Sequence, residues 1–439
     1  MASAAERYAE YLKTVEAGNF KKLARLEFLQ PDGSVAFALD ESYKRGYMRG
    51  RDSRAFIQDG TLNVSLQNGT RRQATITLSN LDGAFDYNIN KLWFGQRIRL
   101  SMGVELSDGY EFYLPQGVFY LKNPQNVFNP GARTAQLSLV DKWAYLDGSL
   151  FGTLEGTYQV DVGADAFEAM AAVLKLSKYT LGATLNRDAM IDPATPVFTT
   201  YYNDKTYLAA DSDGSITQNI PMRQVPFTIS ENGGSTLGAL ILSLNKVVCG
   251  MIGYDETGAF RVEPSQDDIN DADKPVIWAF TPENSGFLGL TETVKNADVY
   301  NDVIVCGQGL TGTAVYGRAT NFDASSDTNV NLIGKKTYRE ERAEYFNSEQ
   351  CVSLASWYLK RKTILQKSVS ISSGQLFHLV ENRLVSVKRT DKAGEPVEKH
   401  IIESFSLPIG QTGAMTINCT SVNDYPVITT TSSSVSEVN

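Results

Sequence analysis

A chain of 439 residues that is 42% apolar and 10% aromatic has room for roughly two to four domains with real hydrophobic cores. Its formal net charge of −9 and pI near 5.0 exclude a nucleic-acid footprint over the whole surface, because phosphate binding needs a basic face. No stretch approaches the ~18 consecutive apolar residues of a membrane span, and the start, MASAAERYAEYL, lacks a basic-then-apolar signal region. A soluble, cytoplasm-made protein is expected. Cys249, Cys306, Cys351 and Cys419 each sit in an apolar run, far from one another, without zinc or redox spacing, and read as buried thiols.

Residues 3–17 read as a helix. Ser3 and Glu6 suit a capping box, Tyr8, Tyr11, Leu12 and Val15 share one face, and Gly18 can stop it. A helix this short is marginal alone and must dock, either on its own domain or on a neighbouring subunit. From residue 20 to about 155 the apolar period changes to two, as in Leu62-Val64-Leu66, Ala74-Ile76-Leu78 and Ile98-Leu100-Met102. Short strands without intervening long helices favour a barrel or a sandwich. Within this region YKRGYMRGRDSR sets Lys44, Arg45, Arg49, Arg51 and Arg54 against one acid, Asp52. Its interleaved Tyr43 and Tyr47 allow a nucleic-acid patch, but a solvated or subunit-contacting loop is the plainer reading.

After VDKWAYLDGSLFG the composition shifts to an α+β unit over 156–289. Phe167, Met170, Ala171 and Leu174 fall at helical spacing. Asp211-Ser212-Asp213-Gly214 reads as a turn, since no later acid completes a calcium loop. In residues 235–264, STLGALILSLNKVVCGMIGYDETGAFRVEP, three signals agree. Leu237, Leu240, Ile241, Leu244, Val247 and Val248 make a helical face behind a Ser235 cap, Asp255–Gly258 makes a turn, and Phe260 and Val262 alternate with Arg261 and Glu263. A helix followed by a hairpin is predicted.

The last third returns to β. Val303–Val305, 365–373, 384–389, 401–407 and 414–422 read as strands, with 311–331 as a long polar excursion. One helix interrupts them at 347–362, with an Asn347/Gln350 cap and Cys351, Leu354, Ala355, Tyr358 and Leu359 as its buried stripe. Residues 426–439 read as a flexible tail. His378 and His400 sit in or beside strands with no metal-type partner and no nucleophile motif. No catalytic residue, cofactor or metal site is assigned.

The helix and hairpin ending in YDETGAFRVEP, the phrases FGQRIRLSMGVEL, VYNDVIVCGQG and HLVENRLVSVKRTD, and the step SEQCVSLASWYLKRKTILQKSVSIS occur in one order. That order resembles the tail hub and baseplate hub family of long-tailed bacteriophages over roughly residues 20–425. The resemblance implies a mainly β fold with an α+β insertion: two similar β-barrel domains at 20–155 and 290–425, separated by a helix-plus-hairpin domain. It also implies a structural, non-enzymatic homotrimeric ring at the virion tail tip. Such a ring joins a six-fold tail tube or distal tail protein to a three-fold spike, fibre or lysin, and the tape-measure protein and then DNA pass through it.

A tail-associated peptidoglycan hydrolase, and a distal tail ring or host-binding adhesin stacking sugars on Tyr201, Tyr202 and Tyr207, are the alternatives. Tyr8, Tyr11, Leu12, Val15, Lys44, Arg45, Arg49, Arg51 and Arg54 form the candidate assembly interface. Removing helix 3–17 or neutralising the basic loop is then expected to impair assembly more than folding.

Overall fold

The computed structural model describes residues 3–30, 33–40, 47–48, 51–52, 56–81, 83, 85–86, 96–129, 132–180, 197–198, 206–210, 216–221, 224–225, 228–248, 250–264, 275–283, 286–295, 299–308, 314–342, 348–363, 366–410 and 413–421. Helix α1 (Ala4–Ala17) has the predicted capping box between Ser3 and Glu6 and ends at Gly18 in the left-handed conformation. Next come β1 (Lys22–Leu29), β2 (Val35–Asp40), the short β3 (Tyr47–Met48) and β4 (Arg51–Asp52), β5 (Ile57–Ser65), β6 (Arg72–Ser79), β7 (Arg97–Glu105), β8 (Glu111–Leu121), β9 (Gln125–Asn129) and β10 (Ala132–Asp141).

The middle unit holds β11 (Tyr158–Val160), α2 (Ala166–Thr180), β12 (Val197–Phe198), β13 (Thr206–Ala210), β14 (Ile216–Pro221), β15 (Ile229–Glu231), α3 (Leu237–Val248), β16 (Gly250–Tyr254) and β17 (Phe260–Pro264). The C-terminal region follows with β18 (Val276–Phe280), β19 (Phe287–Lys295), β20 (Asp302–Gln308), β21 (Ala314–Thr320), α4 (Val330–Ile333), β22 (Thr337–Glu341), α5 (Ser348–Lys362), β23 (Gln366–Ser373), β24 (Leu384–Lys388), β25 (Val397–Pro408) and β26 (Met415–Ser421).

The protein is mainly β. Its two β regions are joined in one 14-stranded sheet ordered β19-β23-β26-β25-β5-β6-β10-β8-β7-β1-β2, with β24 on β25, β18 on β24 and β9 on β10. The seam is the antiparallel pairing of β25 with β5, from Ser404 opposite Ser65 to Pro408 opposite Thr61. Backbone bonds from Leu66 N to Glu403 O (2.6 Å) and from Ile409 N to Gly60 O (2.8 Å) extend it at both ends. Leu62, Val64, Phe405 and Leu407 are buried there, in one core with Leu26, Phe28, Leu137 and Ile371. Full burial of each such side chain contributes about 1.5–3 kcal/mol, so the seam is a hydrophobic weld as well as a ladder.

The two β regions repeat one strand order. Taken in chain order, β1, β5, β6, β7, β8 and β10 lie in space as 5-6-10-8-7-1, and β18, β19, β23, β24, β25 and β26 lie in the same way as 19-23-26-25-24-18. Matching neighbours are antiparallel in both sets, from β5/β6 and β19/β23 through to β7/β8 and β24/β25. The first strand differs: β1 runs antiparallel to β7, whereas β18 runs parallel to β24. Strand β9 continues β8 beyond Lys122-Asn123-Pro124, where Asn123 takes φ 50°. Together β8 and β9 line β10 as the single long β25 lines β26.

The middle unit has its own core of Trp143, Phe167, Met170, Leu240, Ile241, Leu244, Ile252, Phe260 and Val262. The predicted helix and hairpin are both present. Leu237, Leu240, Ile241, Leu244 and Val248 are buried on α3, with Val247 half-buried. The hydroxyl that caps α3 is Thr236, which accepts from Ala239 N at 3.1 Å, while Ser235 bonds Glu231 instead. In the turn between β16 and β17, Asp255 Oδ1 accepts from Thr257 N and Ala259 N at 2.9 Å each, and Gly258 takes φ 80°, a region an L side chain disfavours.

In the C-terminal region the main sheet resumes at Val276, ahead of the expected boundary at 290. The 311–331 stretch contains a strand. β21, β20 and β22 form a separate small sheet against α5, where Cys351, Ala355 and Leu359 meet Val303, Val305 and Ala319. AVYGRAT buries only Gly317, Ala319 and Thr320, so it carries no apolar alternation to read. Residues 426–439, Asn347, Asp211–Gly214, Tyr201, Tyr202 and Cys249 lie outside the described residues, and for Tyr207 only the backbone is described.

Candidate assembly site

The predicted contact face of α1 is spent within the chain. Tyr11 and Val15 are fully buried, Leu12 is half-buried and Tyr8 remains 39% exposed. Tyr11 Oη accepts from Phe377 N at 3.0 Å and lies within hydrogen-bond distance, 3.0 Å, of His378 Nδ1. Arg7 reaches Asp108 at 2.7 Å and lies 4.4 Å above the Tyr110 ring. The helix is therefore an internal clasp between the β7–β8 turn and the C-terminal region. An amphipathic stripe looks the same from sequence whether its partner is the same chain or another. Removing α1 is expected to cost fold stability and not assembly alone. Tyr11→Phe, which leaves Phe377 N without its acceptor, is expected to cost about 1–3 kcal/mol in urea unfolding.

Lys44, Arg45, Arg49 and Arg54 lie outside the described residues, and Arg51 is placed only as backbone in β4, opposite Met48. What the structure gathers is a different set of charges, where the N-terminal β region, the middle unit and the C-terminal β region meet. Asp141, at the end of β10, accepts from Arg71 N (2.7 Å) and Arg72 N (3.0 Å) and caps the next turn through Trp143 N (3.1 Å). Burial pushes its carboxyl up to about 6 against those donors. Arg72, 1% exposed, gives Nη2 to Glu381 Oε2 at 2.5 Å and Nη1 to Gln116 O at 3.1 Å. Gln116 in turn donates to Phe377 O at 2.8 Å. Arg71 Nη1 lies 3.7 Å from Glu381 Oε1.

The hairpin enters from the third side. Glu263 takes Asn382 Nδ2 at 2.7 Å and Arg383 Nη2 at 2.9 Å, and Arg261 Nε holds Asp255 Oδ2 at 2.5 Å. Burial would raise the Glu263 carboxyl, but Arg383 and Asn382 outweigh it and hold it at about 2. Gly253 makes this approach possible: a Cβ there would stand 2.5 Å from Arg71 Cδ. Chemically the cluster is a set of ion pairs, Arg72–Glu381, Arg383–Glu263 and Arg261–Asp255, beside an Asp141 held by backbone N–H groups. It fixes three parts of the chain relative to one another. Sequence reading missed it, because Arg71, Arg72 and Glu381 sit at turn-to-strand steps where charged residues are ordinarily solvated.

Each histidine has a side-chain partner within the chain. His400 Nδ1 lies 3.1 Å from Ser421 Oγ, and burial lowers His378 and His400 to about 4. An unfolded chain takes up these two protons near pH 6.5 and the folded chain only near 4, so their contribution to stability is lost as pH falls across that window. Glu263 acts in the same direction lower down, from 4.5 towards 2, while Asp141 opposes them between 6 and 3.8. In His378→Gln/His400→Gln the midpoint of urea unfolding is expected to flatten between pH 6 and 4.5, where each imidazole costs about 1.4 kcal/mol per pH unit. Cys306, Cys351 and Cys419 are free and buried. Among the described residues no helix is long and apolar enough to cross a membrane, and no group of three or more His, Cys, Asp or Glu is placed to hold a metal ion.

No protein-family model matches the chain, and no curated protein does. Solved structures do. A tail protein from Neisseria meningitidis MC58 superimposes with a TM-score of 0.56 at 9% identity, covering 92% of this chain and 98% of that one. The 43 kDa tail protein of prophage MuSo2 from Shewanella oneidensis gives a TM-score of 0.51 at 12% identity, with the same two coverages. Across nearly its whole length, this chain has the fold of these tail proteins.

Proposed function

We propose that the protein is a structural, non-enzymatic tail-tip hub of a long-tailed phage or prophage, acting as a homotrimeric ring. The observation that carries this reading is the strand order repeated in the two β regions and joined side by side in one sheet. A chain with two like units converts symmetry: three copies present six similar units to a six-fold tail tube or distal tail protein on one side, and three-fold features to a spike, fibre or lysin on the other. The shared fold with two tail proteins supports the setting. The bore of the ring would pass the tape-measure protein and DNA, and a net charge of −9 suits a channel that must not hold a polyanion.

In this reading the buried ionic cluster is the internal brace that keeps the two sheet units and the middle unit at a fixed geometry. The exposed Tyr8 and the basic stretch with Lys44, Arg45, Arg49, Arg51 and Arg54 contact neighbouring tail components. Antibody raised against the chain should label one end of the tail in intact particles, and neutralising those five basic residues should lower particle yield without changing the melting of the purified chain. Label along the whole tail or on the head would contradict the reading.

A further inference from the structure

The repeat has a consequence for the strands at its edges. It matches β5 with β19, and the second half of β25 with β9. Strand β5 lies between two neighbours, β6 and β25, but β19 has only β23 among the described residues. The second half of β25 lies between β26 and β5, but β9 has only β10 among the described residues. Each chain thus carries one open edge of each kind that its own seam joins. We propose that a second copy of this chain pairs its β9 with β19 of the first, repeating between chains the seam that β25 and β5 make within one. The proposal rests on the ring reading above.

The side chains agree with this placement. Asp141 opposite Phe119 and Ser421 opposite His400 are matching end pairs, and counting back from them puts Phe128 at the position of Ile409. Gln73 opposite Val140 and Ser368 opposite Thr420 match in the same way, which puts Leu290 at the position of Gly60. Within the chain Ile409 is 2% exposed and its N–H bonds Gly60 O. Phe128 is 77% exposed on an open strand, and Leu290, which packs on the main core, is only half-buried. Open edge strands ordinarily carry charge or proline to prevent pairing, whereas β9 reads QNVFN and shows Val127 and Phe128 to solvent. The contact joins two different strands, so it is head-to-tail and can close a ring.

The test uses the full chain in sedimentation and light scattering. Wild type should self-associate, and F128D and L290D should each weaken association at least about tenfold. Mixing the two variants should restore a dimer that grows no further, because one intact β9 edge then meets one intact β19 edge. In a separate double variant, F128C/L290C, oxidation should link copies covalently up to ring size, which requires no charge in the sheet. A wild-type ring that F128D leaves intact, or one in which F128C/L290C forms no bond between copies, overturns this contact while the ring reading stands. A wild-type chain that stays monomeric at every concentration, with F128C/L290C unlinked, overturns both.

Discussion

Replacing Arg72 with methionine is expected to lower the free energy of unfolding by about 3–5 kcal/mol, the cost of leaving one member of a buried ion pair alone. The Arg72 guanidinium and the Glu381 carboxylate are 1% and 2% exposed and 2.5 Å apart. Without Arg72, Glu381 keeps Arg71 at 3.7 Å, and Gln116 O loses its donor. Adding Glu381→Leu to Arg72→Met should recover most of the loss, since a well-packed apolar pair avoids the desolvation of two charges. Urea unfolding of the three variants measures this. A loss below about 1 kcal/mol in Arg72→Met would mean the cluster does not brace the chain.

Phe405→Ala is expected to cost about 3–5 kcal/mol, from lost burial and the cavity left behind. Phe405 is 2% exposed, opposite Val64 across the seam and opposite Ile417 on β26. The effect should also be directional. Amide exchange should accelerate at 61–65 and 404–408, where β5 and β25 hold each other, and remain slow in the hairpin of β16 and β17, which belongs to a different core. Unchanged protection at 61–65 would show that the two β regions hold together without the seam.

Local structure was legible in the sequence wherever a periodic stripe met a specific stop. Helix α1, with Ser3, Glu6 and Gly18, and the hairpin, with Asp255 and Gly258, are where the sequence places them. The stripe of Cys351, Ala355 and Leu359 packs as its spacing demands. What was not legible depends on contacts between distant residues. Nothing in Thr61–Ser65 marks it as the partner of a strand some 340 residues later, because alternation says which face is buried and not which edge is shared. The brace shows the same blindness. Arg72 and Glu381 are far apart in sequence, and each alone resembles a surface charge. Tyr11 was placed on the correct face but assigned to a partner, since its ligand, the Phe377–His378 turn, comes from the far end of the chain.

A repeated strand order gives two like units, and the β5–β25 seam and the Arg72–Glu381 brace fix their relative position, as the proposed hub requires. The measurement that tests this most directly is the mass and symmetry of the purified full chain, by light scattering and two-dimensional particle averages. The account predicts a three-fold ring showing six similar units around its rim. A six-fold ring of the same chain, with each copy filling one position, would contradict it.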